Sequence, residues 1–335
     1  MRLHENPLLF KEAIVSAAQP KDNGGLGIKA LFIEKDYWIC HALSLLADSE
    51  VAERVVFKGG TSLTKAYNIG TRFSEDIDIA ILDANSLSGN QLKTLIRKTA
   101  HTMTQGLQEI VRDSTSKGSH YHKAFYQYPR VITEQVDSVN SGELLLEINS
   151  FANPFPYQKC HITSFLTEFM MQHNQWGLID EYGLQSMELK VLDCRRTLTE
   201  KLVSLMRCSL ADDYLPQMTA KIRHFYDLYY LLHDEACQAY IHSDEFRADF
   251  QSLLEHDRQS FSKPDGWQTR PLNQSPLIVD LHATWQLLQP TYLNELPDLA
   301  YRDIPSVDAI EEDISTLLAL IMFEELPPTY THKPH

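Results

Sequence analysis

Hydrophobic and polar positions change period several times along this chain, and each change predicts a different element. Residues 30–47 place Leu31, Tyr37, Trp38, Leu45 and Leu46 around a helix, and the EKDYW segment, Glu34 to Trp38, mixes charges with large aromatics. The expectation is a packed helix with a polar edge. Residues 55–57 are a short apolar strand that meets Gly59 and Gly60, and residues 61–67 read as a short helix. In RFSEDIDIAI, residues 72–81, the period drops to two. Ile77, Ile79 and Ile81 form a face that buries, and Asp76 and Asp78 project side by side from the other.

Residues 92–111 return to helical spacing, residues 119–128 alternate aromatics like a strand, and ELLLEI at 143–148 is a further strand. Its Leu144, Leu146 and Ile148 share one face, so Glu143, Leu145 and Glu147 share the other, and Glu147 can reach the face that bears the aspartates. After about Asn153 the pattern turns helical, with Pro154, Pro156 and a loop at 177–183 marking the change. The fold class expected is α+β: a catalytic domain with a mixed sheet over residues 1–154 and a mainly α-helical domain over 155–335. In the latter, Thr197-x-x-Glu200 reads as a capping box that puts Lys201 in the first turns of a helix. Residues 220–232 form a second helix carrying Lys221, Arg223 and Asp227 among Ile222, Phe225, Leu228 and Leu231. Residues 260–275 read as a loop, and the stretch after Pro327, with His332 and His335, as a loose tail.

Composition narrows the functional classes. The 335 residues exceed one ordinary compact domain. A hydrophobic fraction of 43% and a charged fraction of 22% are those of a soluble globular protein. No apolar run approaches the roughly 18 residues of a membrane span, and the N-terminus lacks an export signal, so a cytoplasmic protein without a membrane partner is expected. A formal net charge of -15 repels polyanions, so any nucleic acid must be gripped by a local basic surface. Cys40, Cys160, Cys194, Cys208 and Cys237 lie far apart with no C-x-x-C pair, which points to reduced, mostly buried thiols.

Candidate chemistry concentrates between Lys58 and Ile81. Gly59 and Gly60 lack Cβ atoms, so backbone can approach a triphosphate closely, and the N–H groups that open the next helix point at its oxygens. Lys58 and Thr61 flank that turn. Two aspartates on one strand face can share Mg2+ or Mn2+, which neutralises phosphates and orients a hydroxyl for in-line displacement of pyrophosphate. A Gly-Gly-Thr alone is usually a tight turn, and an Asp-x-Asp alone is usually a solvated strand face. Together they point to a site, because packing gives no reason to align two like charges beside a glycine turn. Glu147 reads as a third ligand, as a general base, or as a strand-edge glutamate facing water. Asn23 to Gly27 only superficially resembles a phosphate loop, since no strand precedes it and no lysine of the right spacing follows. His120 and His122 read as exposed or packed histidines rather than metal ligands.

GGT followed by RFSEDIDI, with the EKDYW helix before them and TLTEKL and KIRHFYDLYYLL after, resembles the AbiEii/AbiGii toxin family of nucleotidyltransferases. The resemblance runs in order from about Glu34 to Leu232; no motif is recognised beyond it. It implies a polymerase β-like nucleotidyltransferase domain followed by a helical domain, in a toxin of the toxin–antitoxin or phage-defence kind. It also implies an NTP substrate, a nucleotide acceptor such as the 3′ end of a tRNA, and a cognate antitoxin. Residue by residue, it implies phosphate binding at Gly60 and Thr61, the metal at Asp76 and Asp78, phosphate contact by Lys201 and a catalytic role for Asp227. The sequence reads RHFYD where many relatives read RDLYD, so His224 stands in place of an acidic residue.

Read without the family, Lys201 fits a surface helix position, and Asp227, a carboxylate on an otherwise apolar helix, needs a partner such as Arg223 or Lys201, or a metal, and fits a structural ion pair equally well. Arg195, Arg196, Lys201, Lys221 and Arg223 form either a channel for an RNA end or a set of solvated helix faces. Two other functions share the pattern: a small-molecule or protein nucleotidyltransferase, and a non-catalytic interaction protein on the same fold.

Overall fold

Alternating isoleucines build the centre of the first part of the chain. In the computed structural model, which describes residues 1–134 and 142–322, β2 (Asp76–Ile81) buries Ile77, Ile79 and Ile81 at 1% exposure or less. It lies inside a mixed eight-stranded sheet with β1 (Val55–Lys58), β3 (Gln108–Ile110), β4 (Ser116–Lys117), β5 (Tyr121–Gln127), β6 (Glu143–Asn149), β7 (Tyr157–Ile162) and β8 (Met187–Leu192). The strand order is β3-β5-β6-β2-β1-β8-β7, with β4 paired to β5. β2 runs antiparallel to β1 and parallel to β6.

The helices follow in chain order: α1 (Pro7–Ala17), α2 (Ala30–Ala47), α3 (Gly59–Ala66), α4 (Gly89–Met103), α5 (Phe165–Gln172), α6 (Trp176–Tyr182) and α7 (Cys194–Ser209). Then come α8 (Tyr214–Thr219), α9 (Ile222–Leu232), α10 (Glu235–Ile241), α11 (Asp244–Ser260), α12 (Pro276–Val279), α13 (Leu281–Leu299) and α14 (Val307–Met322). Two compact units result, Met1–Thr197 with Leu293–Ile304, and Leu198–Tyr292 with the described residues from Pro305 on. Among the described residues, no helix is long and apolar enough to cross a membrane, and none of the five cysteines forms a disulfide.

The first unit packs its helices on the aliphatic face of the sheet. α2 touches α1, α4 and α5 and the strands β6 and β8, and it buries Leu31, Phe32, Ile33, Tyr37, Trp38, Ile39, Leu43 and Leu46. A helix apolar on nearly every side belongs in an interior, and each such side chain contributes about 1.5–3 kcal/mol. The polar edge expected from EKDYW is absent: Glu34, Lys35 and Asp36 are 0–1% exposed. The opposite sheet face carries a smaller cluster of Val56, Leu82 and Leu192.

Three expected boundaries move. The first unit extends past residue 154 because β7 and β8 pair over six positions and join the sheet beside β1. The sequence of β7, YQKCHI, has one fully buried residue and so resembles no core strand. The helix expected over 92–111 ends at Met103, where Gly106 takes φ +79° and the chain turns into β3. Helix α7 begins at Cys194, so Thr197 is inside it, its hydroxyl donating to Asp193 O at 3.3 Å, and no capping box forms there. The tail after Pro327, with His332 and His335, lies outside the described residues.

Candidate active site

Directly opposed residues in a sheet share a face, and the register aligns four charged residues across four strands. Lys58 on β1 opposes Asp78 on β2, Asp78 opposes Glu147 on β6, and Glu147 opposes Lys123 on β5. The row reads cation, carboxylate, carboxylate, cation. Asp76 lies two residues from Asp78 on the same face, so three half-buried carboxylates gather on adjacent strands.

Each carboxylate is placed by its neighbours. Lys123 Nζ donates to Glu147 Oε1 at 2.7 Å and the Tyr121 hydroxyl donates to Oε2 at 2.9 Å, so both oxygens of Glu147 are oriented. Burial raises the Tyr121 phenol pKa, and the negative charges of Glu147, Asp78 and Asp76 raise it further. Tyr121 therefore stays protonated and keeps its role as donor. Asp78 lies against the turn: a Cβ on Gly59 would stand 2.1 Å from Asp78 Oδ2, and Gly59 sits at φ +80°. Only glycine admits both that dihedral and that approach.

Beyond the turn, Gly59 and Gly60 open α3, with Lys58 in extended conformation at its N-cap. The first N–H groups of a helix have no partner within it and favour an anion. The Thr61 hydroxyl, expected at the phosphates, is 2% exposed and donates instead to the carbonyl of Asp76 at 2.5 Å, clipping α3 to β2. The carboxylate oxygens of Asp76 and Asp78 on one strand face are the ligand type a hard dication such as Mg2+ or Mn2+ takes, and the absence of a Cβ at Gly59 leaves the Asp78 carboxylate its place.

In the second unit Lys201 on α7 and Asp227 on α9 form an ion pair at 2.8 Å, with side chains 9% and 6% exposed. The lysine is not the surface residue its position suggested. The basic residues expected at an RNA end are less available than their spacing implied. Arg195 is held by both oxygens of Asp193 at 2.8 and 2.9 Å, Arg196 is 9% exposed, and Lys221 and Arg223 are half-buried at the start of α9. His122 packs with Nε2 3.2 Å from the Tyr126 hydroxyl, and His120 Nδ1 lies 3.2 Å from Ser150 Oγ.

Tyr121 and Lys123 belong to no motif in the sequence. Their signal was the period of two in YHKAFYQ, which sets Tyr121, Lys123 and Phe125 on one face; the meaning of that face depends on the pairing of β5 with β6.

With this geometry in view, the model of the nucleotidyl transferase AbiEii toxin family, type IV toxin–antitoxin system, matches residues 41–313. The match starts within α2 and extends well past Leu232. Among solved structures, the chain is similar to the nucleotidyltransferase toxin MenT4 of Mycobacterium tuberculosis H37Rv, with 17% identity, 94% of this chain and 99% of that one covered, and a TM-score of 0.46. It is also similar to an H. pylori protein assigned as a nucleotidyltransferase, with 14% identity, 78% and 95% covered, and a TM-score of 0.33. No curated protein matches.

Proposed function

The chain belongs to the AbiEii family of nucleotidyltransferase toxins, and from that premise we propose that it moves NMP from an NTP onto an RNA acceptor, the 3′ end of a tRNA, with release of pyrophosphate. The observation that carries this reading is the convergence of Asp76, Asp78 and Glu147 on one sheet face beside a glycine that Asp78 packs against. The Lys123–Glu147 pair has a structural use, but packing alone gives no reason to set Asp76 and Asp78, like charges on one strand face, beside a glycine turn.

Asp76 and Asp78 are the ligands for Mg2+ or Mn2+, which supplies charge neutralisation for the triphosphate and the leaving pyrophosphate. The N–H groups of Gly60 and its successors at the start of α3 seat the triphosphate, and Lys58, opposite Asp78, adds positive charge at the same edge. Glu147 accepts the proton from the acceptor hydroxyl; Tyr121 and Lys123 fix its orientation. Thr61 acts through Asp76 rather than on phosphate. For the second unit the family resemblance implies phosphate contact for Lys201 and a catalytic role for Asp227, which is the alternative to Glu147 as the group that takes the proton of the acceptor hydroxyl. A cognate antitoxin and a cytoplasmic location follow from the toxin reading.

The test is incubation with divalent metal, each α-32P-labelled NTP in turn and total tRNA, beside Asp76→Ala. Labelled RNA with one nucleotide, lost in the variant, is the expected result. Label on added aminoglycosides or protein but not on RNA would reassign the acceptor, and equal labelling by Asp76→Ala would remove the site.

A further inference from the structure

Helix α2 carries three consecutive charges into the interior, and each is matched to a different segment. Glu34 Oε1 accepts the N–H groups of Val131 at 2.5 Å and Ile132 at 3.3 Å. Lys35 Nζ pairs with Glu75 Oε2 at 2.5 Å, with side chains 1% and 10% exposed. Asp36 Oδ1 pairs with Lys65 Nζ at 2.8 Å, at 2% and 4% exposure, and its Oδ2 accepts the Phe165 N–H at 2.7 Å. Burial opposes the Lys65 charge, and Asp36, with Glu168, more than offsets it, so this ammonium stays protonated. Its Nζ lies 4.2 Å from the centre of the Phe165 ring.

Stability alone does not account for this arrangement. Buried ion pairs give back about what desolvation takes, and well-packed apolar residues serve the fold as well or better. The partners indicate the purpose. Glu75 is the residue before Asp76, and Lys65 lies on α3, the helix that Gly59 and Gly60 open. A third link, from the Thr61 hydroxyl to the Asp76 carbonyl, joins α3 to β2 directly. The three links close a triangle of α2, β2 and α3. The Gly59–Asp78 approach, with no room for a methyl group, requires the distance between β2 and α3 to be held closely.

We propose that Lys35 and Asp36 are positioning residues for nucleotidyl transfer: α2 holds the aspartate strand and the phosphate-facing helix at the separation that a metal–triphosphate requires. The proposal rests on the site described under Proposed function.

It is tested with Lys35→Met, with Lys35→Met/Glu75→Met, which removes both charges of that pair, and with Asp36→Asn/Lys65→Met, which removes the second pair and keeps an acceptor for the Phe165 N–H. Thermal midpoint, Mn2+ affinity by EPR titration without nucleotide, and kcat and KM for transfer are measured on each. Lys35→Met is expected to lower the midpoint. Lys35→Met/Glu75→Met is expected to melt closer to wild type than Lys35→Met does, yet bind Mn2+ about 10–100-fold more weakly, with kcat reduced in the same range and KM for RNA unchanged. Should Lys35→Met/Glu75→Met fail to fold, Asp36→Asn/Lys65→Met supplies the same comparison on the α3 side, read as weaker NTP binding in a folded protein. Variants that melt like wild type and keep its Mn2+ affinity, NTP affinity and kcat overturn the proposal. Failure of the functional reading shows separately, as wild-type protein that binds Mn2+ but labels no acceptor; wild-type protein that binds no Mn2+ sinks both.

Discussion

Replacing Gly59 by alanine probes the closest approach in the site. The residue sits at φ +80°, where a side chain costs about 1–2 kcal/mol. The new Cβ would lie 2.1 Å from Asp78 Oδ2 and 2.9 Å from its Cγ, so the carboxylate must swing away. The backbone term, with relaxation of the clash, gives a destabilisation of about 2 kcal/mol, or about 4–8 °C in melting temperature for a unit of this size. Activity should fall much further, because a carboxylate displaced by about 1 Å loses on the order of 100-fold in rate. Gly89→Ala is the matched control: it opens α4 at an ordinary dihedral, with nothing within 4 Å of the added atom. That substitution should leave activity intact and raise stability by about 0.4–1 kcal/mol. Differential scanning fluorimetry and labelled-nucleotide transfer on both variants give the answer. A Gly59→Ala protein that transfers nucleotide at the wild-type rate would refute the close packing of turn and carboxylate.

Other outcomes follow from the same contacts. Tyr121→Phe removes one of the two donors to Glu147 and should lower kcat about tenfold while changing stability by no more than about 1 kcal/mol in urea titration; an unchanged kcat would argue that Glu147 is not oriented through Tyr121. Lys201→Met leaves Asp227 buried without its lysine and should cost about 3–5 kcal/mol, whereas Lys201→Met/Asp227→Leu should recover most of it; equal losses in both would contradict a buried pair. Burial, reinforced by His4 and the N-terminal amine, lowers the His41 pKa to about 4. Since an unfolded histidine titrates near 6.5, the folded state resists protonation, so His41 stabilises fully above about pH 6.5 and progressively less as pH falls toward 4. Denaturation at pH 7 and pH 5 should differ by about 2 kcal/mol more in wild type than in His41→Leu; parallel pH profiles would place the acid sensitivity elsewhere.

The parts of this protein legible in its sequence are those where a single element carries the signal. The alternation in DIDIAI gave both the buried face of β2 and the pairing of Asp76 with Asp78, and ELLLEI put Glu147 on the matching face. Features that depend on distant pairing were not legible. β7 has no apolar face of its own, and its membership in the sheet comes from β8. Lys123 becomes part of the site only through the register of β5 against β6. In EKDYW the composition predicts a polar edge, because charges normally seek water; the partners that make burial tolerable, Glu75 and Lys65, lie 40 and 29 positions along the chain from Lys35 and Asp36. Thr61 has the right type and place for a phosphate donor, and only the short distance to Asp76 O reveals its other partner.

The most direct measurement is crystallographic: the protein soaked with Mn2+ and a non-hydrolysable NTP analogue, with anomalous scattering recorded at the manganese edge. The expected result is a peak coordinated by the carboxylates of Asp76 and Asp78, with the triphosphate at the start of α3. A nucleotide bound elsewhere, or manganese on other ligands with these two aspartates uninvolved, would contradict the assignment of this sheet face as the catalytic site.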